Sequence, residues 1–123
     1  MVATPLVLVV DDDPFMRDIT RIHLEAAGYQ VALAESASEG LQKAQSLRPS
    51  VVIMDFAMPG GSGADALCLM RTDKEMRAIP VVMVTAWSLE ESQLGVKDLA
   101  ATWLQKPIMG ETLIESVRNL LAA

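Results

Sequence analysis

The chain has 123 residues, 51% hydrophobic and 21% charged, the balance of an ordinary globular domain rather than a disordered or fibrous one. Its formal net charge of -6, with ten Lys and Arg scattered along it, argues against direct binding to nucleic acid or to an anionic membrane, since both need clustered cations. The single Cys68 cannot form an internal disulfide and the apolar run Leu6 to Val10 is far shorter than the roughly 20 residues that span a bilayer, so a cytoplasmic protein without a membrane partner is expected.

Short apolar runs rich in β-branched residues alternate with stretches of helical periodicity, which signals βαβ units. The first run, LVLVV (6–10), ends in Asp11, Asp12 and Asp13. Asp13 is placed to cap a helix and Pro14 suits its first turn. The spacing of Phe15, Ile19, Ile22 and Ala26 predicts an inward apolar stripe, with Gly28 closing the helix. YQVALA (29–34) reads as the second strand. Ser36 and Glu39 then have the spacing of a capping box, so a second helix follows as far as Pro49. SVVIM (50–54) is apolar throughout, as befits a central strand covered on both faces, and Asp55 terminates it.

After a loop rich in glycine, a third helix is predicted from Ala64 to about Met76, and VVMV (81–84) forms the fourth strand, stopping at Thr85. The segment 87–101 fits a helical face poorly and contains Gly95, which predicts a short or frayed fourth helix. TWLQ (102–105) is the fifth strand and leads to Lys106 and Pro107. Leu113, Ile114, Val117 and Leu120 give the final helix, 111–121, its apolar face. No linker, repeat or low-complexity tract interrupts the chain, so one domain over residues 1–123 is expected.

Five strands joined by crossover helices make an open parallel sheet, and ligands bind outside the carboxyl ends of such strands. Right-handed crossovers bring those ends to one edge, where Asp11, Asp12, Asp55, Thr85 and Lys106 would gather. Two like charges about 4 Å apart repel by roughly 4 kcal/mol at an effective dielectric near 20, so a cation should offset the carboxylates. Mg²⁺ suits them, because it takes oxygen ligands from carboxylates, waters and a substrate phosphate. Lys106 could then neutralise a phosphoryl oxygen and Thr85 donate to another, which leaves Asp55 as the candidate nucleophile for an aspartyl phosphate.

In these motifs the chain resembles the receiver domains of two-component response regulators. The matching pieces are the acidic pair in VVDDDP, the D-x-x-M-P-x-x-x-G loop in DFAMPGGSG, TA after the fourth strand and KP after the fifth. They occur in family order from residue 10 to residue 107, and their joint match is far more specific than any one of them. The resemblance implies a flavodoxin-like, doubly wound α/β fold with strand order 2-1-3-4-5 and five flanking helices. It implies that Asp55 accepts a phosphoryl group from a histidine kinase or histidine phosphotransfer protein. Mg²⁺ would be held by Asp12, Asp55 and the backbone carbonyl of Ala57, with Asp11 acting through water, and Thr85 and Lys106 would bind the phosphoryl group. The Lys106–Pro107 bond would be cis.

The resemblance also implies a switch. Thr85 would move toward the new oxygens and Trp103, where the family commonly has Tyr or Phe, would turn into the vacated space. A face made by the fourth helix, fifth strand and fifth helix would change and be read by a downstream effector or output domain, and the same face leaves room for a phosphorylation-dependent dimer. Such a domain catalyses only its own phosphorylation and dephosphorylation. Ala57 and Trp87 stand where the family tunes phosphoryl lifetime, and the bulky Trp87 predicts slow self-dephosphorylation.

Other readings compete. DDDPF resembles the start of haloacid-dehalogenase-type phosphatases, with Asp11 as nucleophile and Asp13 as general acid, but this leaves the DFAMPGGSG loop unexplained. A pseudo-receiver that only binds partners would lack an acidic or lysine position, and none is lost. Asp13 reads most simply as a helix cap, and Pro59, Gly60, Gly61 and Gly63 as loop geometry, the glycines supplying positive φ. His23 reads as a surface or boundary residue, Cys68 as a small buried hydrophobe, and the eight methionines as core filling.

Overall fold

The computed structural model describes residues 4–58 and 62–122. Among them, strands β1 (Leu6–Val10), β2 (Gln30–Ala34), β3 (Val51–Asp55), β4 (Val81–Thr85) and β5 (Thr102–Gln105) form one parallel sheet in the order β2-β1-β3-β4-β5. Successive strand residues point to opposite faces, so each apolar run feeds two cores. Leu8, Val10, Val52, Met54, Val81 and Met83 join one cluster. Val7, Val9, Val51, Ile53, Val82 and Val84 join the other. The strands β1, β3 and β4 are covered on both sides, which is why their sequences lack alternation.

Helices α2 (Ala37–Leu47) and α3 (Gly63–Thr72) supply Ala44, Ala66, Leu67 and Met70 to the first cluster. Helices α1 (Pro14–Ala26) and α5 (Gly110–Ala122) supply Leu24, Leu113 and Val117 to the second. The starts of the first two helices are local sequence effects. The Asp13 carboxylate accepts from the N–H groups of Phe15 and Met16, at 2.9 and 3.4 Å. Ser36 Oγ accepts from the N–H of Glu39 at 3.1 Å. Gly28, at φ 97, follows the end of α1 as expected.

Four expectations are corrected. Of the Phe15, Ile19, Ile22 and Ala26 stripe on α1 only Ile19 is half-buried, because Leu24 is fully buried and rotates Phe15 (69% exposed) and Ile22 (56% exposed) outward. Residues four apart share a helical face, so Leu24 brings Thr20 and Met16 inward with it. Helix α3 ends at Thr72 rather than Met76, since the Asp73 carboxylate accepts from the N–H groups of Glu75 and Met76 and starts a separate turn. Cys68 is exposed, because α3 turns Ala66, Leu67 and Met70 inward and leaves Cys68 on the opposite side.

Gly63 is the fourth. It has no positive φ and is required by close approach instead: a Cβ there would lie 2.3 Å from the carbonyl oxygen of Asp55. Pro59, Gly60 and Gly61 lie outside the described residues.

The segment after β4 is short and broken, as its sequence predicts. Helix α4 covers only Leu89–Ser92, Gly95 sits at φ 77, and a 3-10 turn spans Lys97–Leu99. Met54, Met58, Met70, Met76 and Met83 are buried, whereas Met109 is exposed. His23 is exposed, with its ring lying over Gly110 at the start of α5. No helix among the described residues is long and apolar enough to cross a membrane.

Candidate functional site

The carboxyl ends of β1, β3, β4 and β5 meet at one edge, and the chemistry collects there. Asp11 and Asp12 follow β1, Asp55 closes β3, Thr85 closes β4 and Lys106 follows β5. One carboxylate oxygen from each of Asp11, Asp12 and Asp55 lies within 4.8 Å of the others. Lys106 Nζ stands 3.6 Å from Asp55 Oδ1 and 3.9 Å from Asp11 Oδ2. Asp11 and Asp55 are buried, Asp12 is exposed and Lys106 is half-buried, so the group forms a shallow acidic pit with one cation at its side.

Backbone geometry fixes these groups. The Arg17 guanidinium donates to the carbonyl of Asp11 at 2.8 Å, and Asp11 Oδ1 accepts from the N–H of Asp13 at 3.0 Å. The N–H of Lys106 donates to the carbonyl of Thr85 at 2.7 Å, which ties the last residue of β4 to the lysine. The Lys106–Pro107 bond is cis. Burial pushes the Asp55 carboxyl up from 3.8 to about 6; Lys106 opposes this, Asp11 and Asp12 add to it by like-charge repulsion, and a backbone hydrogen bond from Ala57 opposes it again.

Thr85 is in place, but its hydroxyl bonds elsewhere. It pairs with Ser92 Oγ at 2.9 Å and accepts from the N–H of Trp87 at 3.0 Å. Trp103 is half-buried and its Nε1 donates to the carbonyl of Lys97 at 3.0 Å. Phe56, next to the central aspartate, has its ring 5.7 Å from that of Trp87 and 6.0 Å from that of Trp103. Asp13 Oδ1 caps α1, the role that its place before Pro14 predicts.

The profile of the response regulator receiver domain matches residues 7–118. The chain belongs to that family. Protein PilH of Pseudomonas aeruginosa is 37% identical over 117 residues, spanning 94% of this chain and 97% of that protein. The DNA-binding dual master transcriptional regulator RpaA of Synechocystis is 34% identical over 118 residues, but there the chain spans 49% of the relative's length. The solved structure of the chemotaxis protein CheY4 of Vibrio cholerae superposes with a TM-score of 0.89 at 33% identity, covering 96% of this chain and 99% of that one.

As a receiver domain of two-component signalling, the chain has the family's doubly wound sheet, and its acidic cluster lies where the sequence motifs fall. Two residues at the site escaped sequence reasoning. Phe56 carries a signal in hindsight, since an aromatic beside the last residue of a central strand must lie at the rim. Ser92 carries none, because it sits in the segment whose periodicity is weakest.

Proposed function

We propose that residues 1–123 form one receiver domain in which Asp55 is the phosphoacceptor, taking its phosphoryl group from a histidine kinase or histidine phosphotransfer protein. The observation that supports this best is the buried Asp55 carboxylate with Lys106 Nζ at 3.6 Å on one side and the Asp11 and Asp12 carboxylates on the other. A nucleophile, a cation for a phosphoryl oxygen and spare carboxylates stand within one pit.

The donor set also fits Mg²⁺. Three mutually repelling carboxylates are hard oxygen ligands and need a countercharge beyond one lysine. Asp12, Asp55 and the Ala57 carbonyl would hold the ion, with Asp11 bearing on it through water. When bound, Mg²⁺ supplies charge compensation for the phosphoryl oxygens. An Asp55 carboxylate oxygen attacks phosphorus, the bond from phosphorus to the donor imidazole breaks, and the electron pair returns to that imidazole. Lys106 holds one phosphoryl oxygen and Thr85 donates to another once its hydroxyl turns to the site. The added charge of about -1.5 to -2 then biases the α4-β5-α5 face, with Trp103 as its turning aromatic and an effector or output domain as its reader.

Intact-mass analysis after treatment with acetyl phosphate tests this directly. A phosphoryl-sized increment is expected in the Mg²⁺-supplied protein and in neither the Asp55→Asn variant nor the chelated sample. A labelled Asp55→Asn protein would overturn the assignment.

A further inference from the structure

Thr85 and Ser92 are each 1% exposed, and their side-chain oxygens meet at 2.9 Å across the gap between the end of β4 and the last residue of α4. A helical serine more often turns its hydroxyl to water or to a carbonyl one turn back. Here the carbonyl of Ser88 already receives the N–H of Ser92 at 3.0 Å, and the hydroxyl points into the protein. A hydroxyl has one proton and two acceptor sites. Thr85 accepts the Trp87 N–H at one and meets Ser92 at another, and among the described residues no hydrogen bond joins it to the carboxylates.

Among the described residues no buried side-chain nitrogen or oxygen lacks a partner, and this pair satisfies itself. If Thr85 turned toward a phosphoryl group on Asp55, the Ser92 hydroxyl would remain buried without its partner. Leaving such a group unpaired costs more than the bond itself contributes, so the segment that carries it should move. That segment is the four-residue α4, with Gly95 at φ 77 just beyond it. Few helical hydrogen bonds resist its displacement.

We propose that Ser92 is a positioning residue that holds Thr85 away from Asp55 at rest and whose release moves α4. The proposal rests on the reading of Asp55 as phosphoacceptor. Two states compete for one hydroxyl: in the first Thr85 bonds Ser92, and in the second it bonds the phosphoryl group. Removing Ser92 weakens only the first.

The test is a titration of beryllofluoride, a phosphoryl mimic, with Mg²⁺ present, followed by the emission of Trp87 and Trp103, which flank Phe56. Ser92→Ala should bind about threefold to tenfold tighter than the wild type, the range expected for one resting-state hydrogen bond. Ser92→Cys, close in shape but a weak hydrogen-bonding partner, should shift the same way by a smaller factor, and it decides the matter if the alanine variant does not fold. In a Thr85→Ala background, Ser92→Ala should change nothing. Unchanged or weaker binding by the Ser92 variants, or the same gain without Thr85, would overturn the proposal while leaving the phosphoacceptor intact. Failure of the wild type itself to bind would overturn both.

Discussion

Asp55→Asn should make the metal-free protein more stable at neutral pH, against the usual cost of altering a buried site. In the folded protein the carboxyl titrates at about 6 rather than 3.8, with burial as the leading cause. Below 3.8 it is protonated in both states. Between 3.8 and about 6 the unfolded chain gives up a proton that the folded one keeps, so stability falls as pH rises through that window. Above about 6 the loss is complete, and at 1.36 kcal/mol per pKa unit it amounts to as much as about 3 kcal/mol.

Asparagine escapes that loss because it cannot ionise. In urea denaturation with a chelator, followed by tryptophan emission, the variant should therefore exceed the wild type by up to about 3 kcal/mol at about pH 7.5, with the gap closing toward about pH 4. Adding Mg²⁺ should stabilise the wild type more than the variant, since the ion binds the folded site and the variant lacks one of its carboxylate ligands. A variant equal to or weaker than the wild type at about pH 7.5, or a gap that widens as pH falls, would refute the reasoning.

Three further perturbations test packing beside the site and at the opposite edge of the sheet. Gly63→Ala sets a Cβ 2.3 Å from the Asp55 carbonyl and 3.0 Å from Phe56 Cα, both backbone atoms, and should cost about 2 kcal/mol or more in chemical denaturation while lowering phosphorylation of Asp55. Arg71→Met removes a guanidinium that donates to the carbonyls of Leu99, Arg77 and Ile79 at 2.7, 3.0 and 2.9 Å, and should cost about 2–3 kcal/mol by the same measurement. Trp87→Ala strips away an indole packed edge-on against Phe56, so the phosphorylated form should decay several-fold faster in a mass-resolved time course; an unchanged rate removes Trp87 from control of the phosphoryl lifetime.

What the sequence makes legible depends on how far each signal reaches. The strand cores, the caps at Asp13 and Ser36 and the arrival of Asp11, Asp12, Asp55 and Lys106 at one edge follow from local runs plus the handedness of crossovers. The face of α1 does not, because Phe15, Ile22 and Leu24 are all apolar and only the strands beneath decide which is buried. Cys68 and the end of α3 fail for the same reason: periodicity carries no record of which side meets the sheet, or of an Asp73 that caps a new turn.

At Thr85 the two ranges meet. Its place at the end of β4 follows from VVMVT, but the direction of its hydroxyl is set by Ser92, seven residues on in a segment whose apolar periodicity is weak. The position of the chemistry is thus encoded in short apolar runs, whereas its resting state is encoded in one hydrogen bond between side chains seven residues apart. A relative could keep every motif at the rim and still differ in how readily it switches, simply by changing the residue that faces this threonine.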